Sequence, residues 1–314
     1  MDTRKPLDLL AVSIMGVLCF IWALQQVALK FTANDISPML QIALRAGIAT
    51  ILVAITMRIK GESITFRDGT FYPGILTGTL FALEFLLIAE ALRLTSASHV
   101  VVFLYTAPVF SALGLHWRIP EEKLQSLQWA GILLALAGIA LTFLFRAENK
   151  LSILTINPSD TLLGDGLALL GGAAWGVATI AVRCSSLAGA SACKTSIYYL
   201  TITFVVLLSA AFYSGQAKFN NNAVVWISLA FQAIIVSFVS FFGWLWLLKK
   251  YLASSLGAFS FLTPMLGVVL GNFLLNEPIE SSFLLGAILV LTGISLVIGH
   301  NYLAKFFNSR NSLY

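Results

Sequence analysis

Charge is what this 314-residue chain has least of: only 11% of its residues are Asp, Glu, Lys or Arg. A soluble domain carries roughly 25%, and so few charges cannot cover the surface of a water-soluble fold of this size. Cysteine is also scarce. Cys19 and Cys184 sit inside apolar runs and Cys193 begins one, with neither a disulfide framework nor metal-site spacing, so all three are expected to be small buried residues. The three histidines, His99, His116 and His300, are scattered at the ends of apolar runs without an HxxE or HExxH pattern, which leaves a metal centre without support. No phosphate-binding glycine loop and no GxSxG elbow is present, so neither an ATP-driven pump nor an enzyme is expected, and no cofactor. Strict alternation of polar and apolar residues is missing as well. Lipid cannot satisfy free backbone groups, which leaves only helices or closed barrels, and the absent alternation selects helices.

What is abundant is apolar residues, 59% of the chain, with a mean hydropathy of +0.90. They fall into ten runs of membrane-spanning length, roughly 9–31, 38–58, 72–92, 97–117, 126–146, 163–184, 194–214, 223–248, 254–275 and 281–300. Breakers mark most of the gaps: Ser37-Pro38, Tyr72-Pro73, Ile119-Pro120, Asn157-Pro158 and Glu277-Pro278. The first run, Leu9–Phe31, is too long for the core of a cleavable leader and reads as a membrane helix. The longest connection, 147–162, separates five spans from five and suggests two units, 1–150 and 151–314. With the N-terminus inside, thirteen of the nineteen lysines and arginines fall on inner loops, five fall outside, and Arg45 lies within a span. Basic residues favour cytoplasmic loops, so both termini are expected in the cytoplasm. The same rule accounts for the net charge of +5 without a nucleic-acid partner.

The chain also repeats itself. EEKLQSLQWAGILLALAGIAL (121–141) and NEPIESSFLLGAILVLTGISL (276–296) run in register without a gap, matching Glu122 with Glu277, Gly131 with Gly286 and Gly138 with Gly293. WALQQVALK (22–30) aligns with WGVATIAVR (175–183), Pro108 matches Pro264, and Ala91-Leu92 with Ala97 matches Leu247-Leu248 with Ala253. Five spans per unit is an odd number, so the second unit enters the membrane from the opposite side. Inverted repeats with a site between them are an architecture of secondary transporters.

These stretches, with LYTAPVFSALG (104–114), FLTPMLGVVLG (261–271) and GGAAWGVATIAVR (171–183), resemble the drug/metabolite transporter superfamily, specifically its EamA-type ten-helix members, over about residues 9–300. The resemblance implies an all-α membrane protein of ten helices in two inverted five-helix repeats. It also implies a gradient-driven carrier, usually an exporter of amino acids or other small metabolites. The family pattern places a glycine before the glutamate ahead of each fifth span. Here Glu121 precedes Glu122 and Asn276 precedes Glu277 instead.

Within the spans Arg45 and Glu84 stand out, because charge in lipid is costly. Arg45 lies seven residues into the second span from its outer end and Glu84 nine residues from the outer end of the third, ~10 and ~13 Å at 1.5 Å per residue. Two readings fit: a structural ion pair, or a site in which Arg45 meets a substrate carboxylate and Glu84 a coupling proton or an ammonium. Trp22, Gln25 and Gln26 cluster in helix 1, with Trp175 as the counterpart of Trp22; further lining candidates are Tyr105 and Thr106 in helix 4, Gln232 in helix 8, and Phe261 and Thr263 in helix 9. Packing or interfacial anchoring is the alternative reading for each. Pro108 and Pro264 are expected to kink helices 4 and 9. Tyr198 and Tyr199 read as interfacial aromatics, the paired glycines as helix contacts, and Glu122 and Glu277 as caps of the fifth helix in each unit.

Three functions follow as hypotheses. The first is an inner (plasma) membrane exporter of small organic metabolites working by proton antiport. The second is a carrier of phosphorylated or nucleotide-linked sugars, which would want more than one basic group at midplane. The third is a membrane-embedded enzyme on lipid-linked substrates. The expected partners are a small-molecule substrate, the bilayer and a coupling proton, with the chain a monomer or homodimer.

Overall fold

The computed structural model describes residues 8–62, 68–118, 123–144, 158–251, 256, 259–260, 262–279, 281 and 283–296. Within these the fold is all-α. The helices are α1 (Leu9–Phe31), α2 (Pro38–Ile59), α3 (Phe71–Leu94), α4 (Ala97–Arg118), α5 (Ser126–Leu144), α6 (Pro158–Arg183), α7 (Ala192–Tyr213), α8, α9 (Leu262–Leu275) and α10 (Phe283–Leu296). Helix α8 runs as three consecutive segments, Ala223–Ala230, a wider π-helical stretch Phe231–Val239, and Ser240–Lys250. Among the described residues seven helices are long and apolar enough to cross a membrane, and the described parts of α5, α9 and α10 are shorter apolar helices. Large apolar side chains such as Leu9, Tyr72, Phe212, Val269 and Phe273 face outward, as suits a surface bathed in lipid.

Local sequence sets the helix ends. Asp8, Ser37, Ser96, Ser191 and Asn222 each accept a hydrogen bond from a backbone N–H three residues on, at 2.8–3.2 Å, satisfying donors that a helix leaves open. The ends of α2 and α7 show the duplication most closely. Gly61 and Gly215 both adopt φ 69°. The next residue's N–H then turns back to the last helical turn, Glu62 N to Met57 O at 2.9 Å and Gln216 N to Ala211 O at 2.8 Å. Only a residue without Cβ takes this left-handed cap at little cost. Asn276, where the family pattern has glycine, is also left-handed, with φ 53°; asparagine is among the few other residues that tolerate it.

The two sets of five helices interleave. Helix α3 packs chiefly on α6, α2 on α7, α1 on α9, and α4 on both α6 and α9. Helices α5 and α10 meet through a reciprocal glycine contact. A Cβ on Gly138 would lie 2.6 Å from Gly286 O and 2.8 Å from Val290 N. One on Gly293 would press on Gly131 O and lie 2.6 Å from Ala135 N. Each contact is the repeat image of the other, so the expected role of these glycines in helix packing holds.

Loops clasp on both faces, again as images. On the face away from the N-terminus, Ile36 forms an antiparallel bridge with Phe219, and Asn220 N donates to Asp35 O at 2.9 Å. On the N-terminal face, Ser186 Oγ donates to Gly69 O at 2.8 Å, Ser191 Oγ to Glu62 Oε2 at 2.6 Å, and Lys194 pairs with Asp68.

Candidate functional site

The centre of the bundle is organised by Arg45. Starting from the N-caps Ser37 and Ser191, Arg45 and Tyr199 each stand eight residues into their helices, ~12 Å from opposite faces, and α2 and α7 pack on one another. Arg45 is buried. Its Nη1 donates to Gln232 Oε1 at 2.7 Å, and its guanidinium carbon lies 4.9 Å from the centroid of the Phe85 ring. Gln232 in turn donates from Nε2 to Gln25 O at 2.9 Å. A three-helix chain thus links α2, α8 and α1, and Gln232 enters it from the start of the π-helical stretch. Departures from α geometry of this kind recur at functional sites because they re-aim a side chain and free backbone groups.

Glu84 is the second buried charge-bearing group, 4% exposed, and its Oε2 has no hydrogen-bond partner. It lies within electrostatic reach of Arg45, Tyr105 and Tyr199, yet Arg45 and Glu84 form no ion pair. Similar depth did not bring them into contact, because Arg45 is turned toward Gln232 and Phe85. Of the two readings the sequence leaves open, a direct ion pair is not formed here. Tyr199 is corrected: it is drawn inward to this group, with its ring 5.1 Å from that of Phe81, and is not an interfacial anchor.

Aromatic pairs flank the centre. Trp22 Nε1 donates to Ser240 Oγ at 3.0 Å and its ring stands edge-on to Trp244 at 5.7 Å. Trp175 stands edge-on to Tyr105 at 5.6 Å. Helix α4 breaks between Leu104 and Ala107, at Tyr105 and Thr106, just ahead of Pro108. Proline has no N–H for the carbonyl of Leu104. Gly172 lies beneath that break, where a Cβ would sit 2.8 Å from Phe103 O and 3.0 Å from Leu104 O. Gln26 is buried with Oε1 unpartnered, as are the hydroxyls of Thr77 and Thr263. Gln25 contributes its carbonyl. Phe261 lies outside the described residues, as does Glu122.

A second polar cluster sits at the end of α4 away from the N-terminal face. Glu277 Oε1 accepts from Ala97 N at 2.7 Å, and its Oε2 accepts from Ser98 N at 3.0 Å and Ser98 Oγ at 2.6 Å. It therefore caps α4, not α10 as its sequence neighbourhood suggests. His99 Nδ1 lies 2.9 Å from Asp165 Oδ1, Thr95 Oγ1 donates to the same oxygen at 2.6 Å, and the imidazole stacks on Phe283 at 3.9 Å. Lys30 Nζ donates to the carbonyls of Leu92 and Thr95 that end α3. Cys184 is exposed, against the expectation for a small buried residue, whereas Cys19 and Cys193 are buried.

Comparison with known proteins bears on the family and the fold. A model of the EamA-like transporter family matches twice, over residues 9–144 and 162–299. An uncharacterized transporter, YoaV, of Bacillus subtilis is 25% identical over 278 residues, 87% of this chain and 91% of that one. An uncharacterized transporter of Archaeoglobus fulgidus is 28% identical over 288 residues, 88% of this chain and 94% of that one. A solved crystal structure superposes with a TM-score of 0.61 at 17% identity, covering 92% of this chain and 96% of that one. At that identity the likeness speaks for the fold alone.

Proposed function

The chain belongs to the EamA-like transporter family, and on that premise we propose that this multi-pass membrane protein is a proton-antiporting exporter of small organic metabolites, amino acids or related compounds. It works by alternating access in the inner (plasma) membrane with both termini cytoplasmic. One observation carries the reading: Arg45 and Glu84 are both buried at the centre and make no direct contact with each other. An ionised carboxylate without a donor in an apolar interior costs several kcal/mol, and binding a proton, or a substrate ammonium, removes that cost. The guanidinium of Arg45 keeps donors beyond the one given to Gln232 and suits a substrate carboxylate. Trp22, Tyr105 and Trp175 supply aromatic walls, and the Leu104 carbonyl, which loses its helical N–H to Pro108, adds an acceptor. A carrier of phosphorylated sugars gains no support, since among the described residues Arg45 is the sole basic group of this centre.

The test is efflux from proteoliposomes across a panel of amino acids and amphiphilic amines, with and without a pH gradient. A gradient-driven substrate is expected, and Glu84→Gln should abolish the gradient dependence while the protein still folds. Gradient dependence that survives Glu84→Gln overturns the role of Glu84. Indifference of every transported solute to the gradient overturns antiport.

A further inference from the structure

Setting α1 on α6 pairs Trp22 with Trp175, and setting α3 on α8 through Ala91-Leu92 and Leu247-Leu248 pairs Glu84 with Ser240. The packing keeps this register. Gly171, one turn before Trp175, lies against α3, where a Cβ would be 3.6 Å from Glu84 O and 3.8 Å from Leu87 Cβ. The repeat image of that contact is Leu18 on Gly243, where a Cβ would be 3.5 Å from Leu18 Cδ2. The same paired positions meet in both units, although α6 packs on α3 far more extensively than α1 packs on α8. The polar contact, however, is made on one side only. Trp22 Nε1 donates to Ser240 Oγ at 3.0 Å. Trp175 rests edge-on against Tyr105, and Glu84 Oε2 stays buried without a partner.

Inverted repeats alternate access by tilting one unit against the other, so that each adopts in turn the arrangement its image holds now. We propose that Trp175 is the partner of the Glu84 carboxylate in the opposite-facing state, its indole N–H donating to Glu84 as that of Trp22 donates to Ser240 here. This rests on the proton-coupling reading of Glu84 and deepens it. A proton leaves Glu84 where an N–H waits to stabilise the charge left behind, and returns where the oxygen has no donor. Trp175 is then a positioning residue. The other groups that face Glu84 come from each neighbouring helix: Arg45 on α2, Tyr105 on α4 and Tyr199 on α7. None of them offers the indole's single rigid donor on the α6 side.

The full chain labelled with 5-fluorotryptophan in lipid nanodiscs gives one fluorine resonance for each of its seven tryptophans. Trp175→Phe, or Trp175→Tyr should the first not fold, assigns one of them, and Trp22→Phe another. The Trp175 resonance should move with pH and become pH-independent in Glu84→Gln. The Trp22 resonance should ignore Glu84→Gln and respond to Ser240→Ala. A Trp175 resonance that ignores pH, or that titrates unchanged in Glu84→Gln, overturns the partnership. If gradient-driven efflux is lost in Glu84→Gln while Trp175 stays silent, the partnership alone falls. If efflux never depends on the gradient, the proton reading falls and takes the partnership with it.

Discussion

The first five helices bring charge to the centre of the bundle, whereas the second five bring neutral residues to the equivalent places. Arg45 is matched by Tyr199 and Glu84 by Ser240, while the frame around them is shared: serine caps on α2 and α7, left-handed Gly61 and Gly215, mirrored glycines on α5 and α10. The difference separates two demands. Packing in lipid relies on small residues and satisfied backbone groups, and both copies keep these. Charge at midplane is costly, and one copy carries it. The two copies thus share a frame and differ in the charge it carries.

That contrast can be broken at its strongest shared point first. Gly138→Leu and Gly293→Leu each push a side chain into the backbone of the facing helix, which cannot yield as a flexible side chain can. Each should cost about 3 kcal/mol or more, and the two losses should be alike, read as thermal unfolding in detergent. Clearly unequal losses would mean that the glycine seam is not symmetric in energy. Next comes the charged pair of positions. Arg45→Met should lower transport of an identified substrate at least tenfold, about 1.4 kcal/mol, while Tyr199→Phe should change it less than about threefold. Equal losses would erase the division of labour.

The smallest effect lies in the loop clasps. A hydrogen bond from the Lys194 ammonium, helped by the Thr70 hydroxyl, holds the Asp68 carboxyl well below the usual carboxylate range. A folded-state value depressed in this way stabilises the fold fully above the unfolded value of about 3.9 and loses that effect as pH falls through the folded one. Asp68 is exposed although Lys194 is buried, and solvent screening at the carboxylate keeps the pair's worth small. Asp68→Asn should lower the unfolding temperature slightly at neutral pH, and the gap from wild type should close below about pH 4.

Much of this was legible in the sequence, and the exceptions have physical causes. Breakers and span lengths placed the helices, since a bilayer fixes how long a helix must be. The repeated stretches implied the inverted pair. Direction around a helix axis was not legible: Arg45 and Glu84 share a depth, but depth does not fix azimuth, and Arg45 faces Gln232 instead. Glu277 looked like the cap of the helix that follows it, because capping is usually local. Its carboxylate instead reaches Ala97 and Ser98, a contact between distant parts of the chain that no local pattern announces. Tyr199 was misplaced for a related reason. Its importance follows from being the image of Arg45, and that register emerges from the paired caps Ser37 and Ser191, not from any motif around the tyrosine. The π-helical stretch that aims Gln232 has no compositional mark among its apolar neighbours.

The interleaving of the two helix sets has a consequence for biosynthesis. Helices α2 and α3 find their main partners in α7 and α6, which leave the ribosome only after the long mid-chain connection. At roughly 5–20 residues per second, the nascent chain holds Arg45 and Glu84 in lipid for on the order of ten seconds before their surroundings exist. During that interval the first five helices are a template without its complement, and the two charges wait without the neighbours that the finished fold gives them.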